Sequence, residues 1–117
     1  MVEKFEDKIL SKLAKTLKEK KAQQIVILDM RKNGQNVCDF FIICHGQSGV
    51  QTQGIASNTI RELKQDIGLK PFQVEGLRNA EWILIDYGYI VAHIFREDIR
   101  DFYRLEDLWA DAETKTV

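Results

Sequence analysis

Three groups of residues in this sequence are of types that do chemistry. The first is Gly46-Gln47-Ser48, which lies between an apolar run and a helical stretch. Backbone N–H groups at a helix start can hold a phosphate, which would suit nucleotide transfer. The second is Cys44-His45, a thiol beside an imidazole. The third is His93, with Asp86 or Glu75 as an orienting carboxylate.

None of the three is complete. A strand–Gly-x-Ser–helix opening is similar to that of the nucleotidyltransferase superfamily, whose chemistry also needs two or three carboxylates converging on Mg²⁺, usually an acid-x-acid pair on the next strand. Here the next strand offers Glu75, and Asp86 ends the strand after it with no acid two residues away. Ser48 with Gln51 three residues on reads as a capping box, which explains the corner without catalysis. Cys44 and His45 are adjacent in a strand and so point to opposite faces. His93 has no nucleophile at an identifiable spacing. Cys38 and Cys44 make no disulfide framework and, with His45 and His93, no HxxxH or CxxC ligand set. The residues therefore predict no catalytic, metal or cofactor site and a chain that is not an enzyme.

The elements that position these residues follow from periodicity. From Val2 to about Lys20, Phe5, Ile9, Leu13 and Leu17 recur at helical spacing. The run Lys18-Glu19-Lys20-Lys21 is read as a solvated helix end. Ile25–Met30 is a buried strand, and Arg31–Cys38, with Asn33-Gly34, a loop. Asp39 opens a second strand, Phe40–Cys44, which Val37 and Cys38 can extend. A helix capped by Ser48 runs to about Asp66, with Val50, Ile55, Ile60, Leu63 and Ile67 towards the core and Gly68 as a left-handed stop. Phe72–Glu75 is a short strand. Arg96–Tyr103 and Leu105–Ala110 are short helical pieces, with Arg100 able to brace the carboxylates around it, and the tail from Glu113 to Val117 is expected to fray.

Between these lies the most patterned stretch. Trp82–Asp86 and Tyr89–Phe95 read as a β-hairpin with Tyr87-Gly88 as its two-residue loop, so that Asp86 faces Tyr89, Leu84 faces Val91 and Trp82 faces His93. One face, Ile83, Ile85, Ile90, Ala92 and Ile94, suits burial under helices. The other carries Trp82, Leu84, Asp86, Tyr89, Val91, His93 and Phe95, the composition of a protein–protein contact patch. Alternatively, Trp82 and Phe95 are core residues covered by the C-terminal segment. The expected architecture is α/β, a single domain with a mixed sheet of about five strands and two main helices on one face, leaving the opposite face short of cover.

The whole chain bounds the function classes. At 117 residues it forms one domain, and a net charge of -1 gives no general pull toward nucleic acid or anionic membrane. No apolar run is long enough to span a bilayer, and Glu3, Glu6 and Asp7 are out of place in a transit peptide. A cytoplasmic protein is expected.

At Asp39-Phe40-Phe41-Ile42-Ile43, Gly46-Gln47-Ser48, Glu75-Gly76, Trp82-Ile83-Leu84-Ile85-Asp86-Tyr87-Gly88 and Val91-Ala92-His93-Ile94-Phe95, the chain resembles the Iojap family of ribosomal silencing factors. Arg100–Ala112 matches the family's closing signature, so the likeness covers nearly the whole chain, with residues 1–112 as the family domain. The resemblance implies a nucleotidyltransferase-like αβ fold that has lost its catalytic carboxylates. It implies docking on the fourteenth protein of the large ribosomal subunit, which sterically keeps the small subunit from joining and lowers translation when nutrients are short.

On this reading Trp82 and Leu84 anchor, Asp86 and Glu75 answer basic residues, Tyr87 reaches out from the turn, and His93 and Tyr89 complete the surface. Tyr89 stands where the family usually has an acid, replacing a charge with stacking or a hydroxyl contact. Limited contact with ribosomal RNA and a homodimer in the absence of ribosomes are further expectations. Organellar relatives carry a targeting extension, and the start of this sequence fits a bacterial cytoplasm instead. Two alternatives stay open, a nucleotidyltransferase-type enzyme using Gly46–Ser48 and a large-subunit assembly factor using the same surface.

Overall fold

The computed structural model describes residues 7–31, 38–110 and 112–117. The expected start of the first helix with Phe5, the Asn33-Gly34 turn and the extension through Val37 lie outside the described residues. The helix α1 covers Lys8–Glu19, capped by Asp7, whose carboxylate accepts from the Leu10 N–H at 2.9 Å. Strands β1 (Gln23–Asp29) and β2 (Phe40–Gly46) follow, then α2 (Gly49–Ile67), β3 (Gln73–Glu75), β4 (Trp82–Asp86) and β5 (Ile90–Arg96). The chain closes with α3 (Glu97–Tyr103), α4 (Leu105–Leu108) and β6 (Glu113–Thr116).

The sheet has six strands in the order β3-β4-β5-β2-β1-β6, one more than expected. The added strand is the segment expected to fray. Glu113–Thr116 pairs antiparallel with β1, Val26 opposite Thr116 and Asp29 opposite Glu113. Backbone pairing orders it although its side chains offer no apolar pattern. Among the described residues only β2 and β5 run parallel, with α2 in the connection between them.

Helices α1 and α2 cover one face. Their cluster takes Leu10, Leu13 and Leu17 from α1, Ile55 and Leu63 from α2, and Ile83, Ile85, Ile90, Ala92 and Ile94 from the hairpin. Each fully buried isoleucine here contributes roughly 1.5–3 kcal/mol. The buried stripe of α2 is Thr52, Ile55, Ala56, Thr59 and Leu63. Val50 falls off it and is 86% exposed, and Ile67 in the last turn is exposed as well. Lys20, from the lysine run, ties α1 to α2 through Glu62 at 2.8 Å.

The opposite face is neither bare nor fully roofed. A second cluster holds Leu28, Met30, Phe41, Ile43, Val91 and Phe95 beneath Leu105, Ala112 and the partly buried Trp109. The C-terminal segment thus covers the part of this face over β1 and β2, and the core alternative holds for Phe95, which is fully buried. Arg100 fastens the cover. Its guanidinium donates to Glu106 Oε2 at 2.8 Å, to His45 Nδ1 at 2.9 Å and to the Gln24 carbonyl at 2.9 Å. That carbonyl sits in a bulge of β1, where Gln24 has φ of +47°. What stays open is the end built from β3, β4 and β5.

Candidate docking surface

The open end is a three-stranded antiparallel meander, and its register decides which side chains meet. Trp82 pairs with Phe95, Leu84 with His93 and Asp86 with Val91. Each partner is two residues further on than the sequence suggested, because the loop is Gly88-Tyr89 rather than Tyr87-Gly88. Tyr87 pairs with Ile90, donating its N–H to the Ile90 carbonyl at 2.9 Å. Gly88 takes φ of +93° at the first loop position, which a glycine adopts freely. A two-residue offset keeps every strand side chain on its expected face.

Two predicted contact residues are nonetheless misplaced. Tyr87 does not reach out. As the next odd-numbered residue after Ile83 and Ile85 it turns to the helix side, where its ring is 4% exposed. Tyr89, in the loop, also leans to the helix-side cluster, and its hydroxyl hydrogen-bonds the Asp7 carboxylate at 2.9 Å. Burial, then that bond, pushes the phenol up to about 12. Tyr89 therefore ties the hairpin loop to the start of α1.

Glu75, Trp82, Leu84, Asp86 and His93 do share one face. Glu75 pairs with Leu84 and Gln73 with Asp86 across β3 and β4. These rows border an open groove of about 370 Å³, with Phe41, Leu84, Val91 and His93 as its apolar floor and Gln73, Glu75 and Asp86 at its rim. Asp86 accepts from the Gly88 N–H at 2.7 Å, and Gln73 donates to Glu75. Both carboxylates are thus oriented from within the protein while bordering the groove.

Trp82, half-buried, neighbours the groove residue His93. Its indole stacks on Phe95 at 4.9 Å and meets Tyr103 at 5.1 Å. Its N–H donates to His93 Nδ1 at 3.0 Å. His93 is buried rather than presented, and burial lowers its pKa to about 4. It accepts from Trp82 beneath the groove and exposes little of its own ring there.

The groups that invited an enzymatic reading have structural work. Ser48 Oγ accepts from the Gln51 N–H at 3.1 Å, and Gln51 accepts from the Gln47 N–H. Cys44 lies in the helix-side core, its thiol pushed up to about 12 by burial, while His45 points the other way to Arg100. Among the described residues, no three His, Cys, Asp or Glu side chains gather as a metal site.

Sequence reasoning missed Tyr103 and Phe102 on α3, which continue the aromatic row of Trp82. It also missed Phe41, whose ring meets His93 edge-on at 4.7 Å. The alternation in β2 put Phe41 on this face, but nothing in the sequence placed β2 beside β5.

This groove lies on the part of the sheet face that the C-terminal segment leaves open. The sequence model of one family, described as "Ribosomal silencing factor during starvation", matches residues 3–117. The chain belongs to the ribosomal silencing factor family. A ribosomal silencing factor from Halalkalibacterium halodurans is 45% identical over 82% of this chain and 80% of its own length. A crystal structure of a Bacillus halodurans protein superimposes with a TM-score of 0.76 at 39% identity, covering 94% of this chain and 96% of that one. A more distant relative is the mouse protein named "Mitochondrial assembly of ribosomal large subunit protein 1". It is 24% identical over 83% of this chain, which spans 43% of the mouse protein. Silencing factors are regulators rather than catalysts, and the family resemblance read from the sequence holds.

Proposed function

We propose that the protein docks on the large ribosomal subunit, through its fourteenth protein, and by standing there keeps the small subunit from joining. Translation falls in consequence when nutrients are short. Trp82 and Leu84 anchor the contact, Glu75 and Asp86 meet basic side chains, and His93 holds Trp82 in place. The site of action is the bacterial cytoplasm, and contact with ribosomal RNA is minor for a chain of net charge -1.

The observation that carries this reading is the unfinished mixed face. The C-terminal segment seals Phe95 and stops short of the groove, leaving Leu84 beside two carboxylates and half-buried Trp82 next in the same row. The same face accounts for a homodimer when ribosomes are absent, which a mass measurement at high concentration tests.

Co-sedimentation followed by a joining assay tests the proposal. The protein should pellet with large subunits and lower the yield of joined ribosomes when small subunits are added. Undiminished joining with the protein bound would overturn the silencing mechanism. That outcome would favour the second reading, an assembly factor using the same face, which the name of the mouse relative supports.

A further inference from the structure

We infer that the docking surface continues past the groove onto α3, where Phe102 and Tyr103 form a shelf that receives an arginine of the docking partner. The inference rests on the docking reading above and adds a second contact with its own chemistry.

Four rings run in sequence from the core to the surface. Phe95 is fully buried, Trp82 stacks on it at 4.9 Å, Tyr103 meets Trp82 at 5.1 Å, and Phe102 stands edge-on to Tyr103 at 5.1 Å. Exposure rises along the row to 51% at Tyr103 and 77% at Phe102. The exposure is built in rather than a frayed end. Arg100, one turn back on α3, is buried and bonded to β1, His45 and Glu106, and Arg104 ends the helix in the left-handed region with φ of +49°. Two large aromatics held against water beside a half-buried tryptophan extend one apolar surface from the groove.

The surrounding charges choose the occupant. Arg96 is held by Asp98 at 2.7 Å and Arg104 by Asp107 at 2.8 Å, so these cations are already matched. Glu75 and Asp86 border the groove further along the same face. Open ring faces on a helix that itself carries the exposed acids Glu97 and Asp101 suit a guanidinium, which is planar, weakly hydrated and attracted to the ring quadrupole. The same charges repel a phosphate backbone, which argues against a nucleotide base on the shelf.

Binding of purified large subunits by three variants tests the shelf. Phe102→Ala removes an exposed ring and leaves the core intact. It should weaken binding about tenfold, the scale of one desolvated cation–π contact. Phe102→Leu supplies apolar area without a π face and should do no better. Wild-type affinity in Phe102→Ala, or recovery in Phe102→Leu, would overturn the arginine shelf. Trp82→Ala separates the two levels: if it abolishes binding while Phe102→Ala does not, the shelf fails and the docking reading stands. If neither variant weakens binding, docking by this face is itself removed. Should Phe102→Ala lower binding to protein-free large-subunit RNA by the same factor, the shelf takes a base and the inference fails.

Discussion

The indole of Trp82 donates its one hydrogen bond to Nδ1 of His93, 3.0 Å away. Because an indole N–H can only donate, His93 must accept there and carry its proton on Nε2. The orientation of Trp82 thus depends on an imidazole that stays neutral. Burial enforces that state, holding the pKa of His93 near 4 against an ordinary 6.5.

Stability should therefore depend on acid. The folded protein resists protonating His93 and the unfolded chain does not, so unfolding gains protons between pH 6.5 and 4. The contribution is fully present above pH 6.5 and drains away as pH falls toward 4, by at most about 3 kcal/mol. His45, lowered by burial and then by Arg100, pulls in the same direction. Urea unfolding of wild type and His93→Gln at several pH values checks this, since the variant should show a shallower acid slope.

Replacing Trp82 by Ala should weaken binding to large subunits by at least ~2 kcal/mol, as for an aromatic hot spot. The far-ultraviolet circular dichroism should be unchanged. Trp82→Phe keeps a ring against Phe95 but strands the His93 acceptor, at about 1 kcal/mol of stability. Unaltered co-sedimentation of Trp82→Ala would take this residue out of the interface.

Arg100→Met should loosen the C-terminal cover. The substitution fills similar space but leaves the Gln24 carbonyl and Glu106 without their donor, at a cost of about 3 kcal/mol. Hydrogen exchange should quicken in α3 and α4 while α1 stays protected. Arg100→Lys should not restore it, since an ammonium cannot span these acceptors as a guanidinium fork does.

Gly76→Ala should disturb the groove from its edge. Gly76 has φ of +80°, and an added Cβ would strike the Trp82 carbonyl oxygen. Both strain and clash point to a loss of roughly 2 kcal/mol or more. A thermal melt reports it, and a neutral result would mean that β3 shifts freely against β4.

A nucleoside triphosphate with Mg²⁺ should leave the melting temperature unchanged, because the Gly46–Ser48 corner is occupied with capping its own helix. A saturable rise would revive the enzymatic reading.

What the sequence disclosed was what is local. Ser48 and Gly68 marked the ends of α2, and the alternation of Ile83, Ile85, Ala92 and Ile94 marked the helix face. The loop register failed by one residue because Tyr87-Gly88 and Gly88-Tyr89 look alike until the glycine's positive φ is assigned to a position. Tyr87 followed from parity and could have been placed correctly. The strand at Glu113–Thr116 could not, since a polar segment held by backbone pairing carries no apolar signature. Tyr103 joined the surface through the buried Arg100, a contact between distant parts of the chain that no local pattern announces.

The parallel pairing of β2 with β5 should set the order in which the molecule comes together. Residues 73–96 form a local meander whose strands meet across short connections. Phe40 must find Ile90 across a long loop, an encounter with a greater entropic barrier. The strands that border the groove should thus form early, in a contiguous stretch of chain, and become rigid only when the slowest closure is complete.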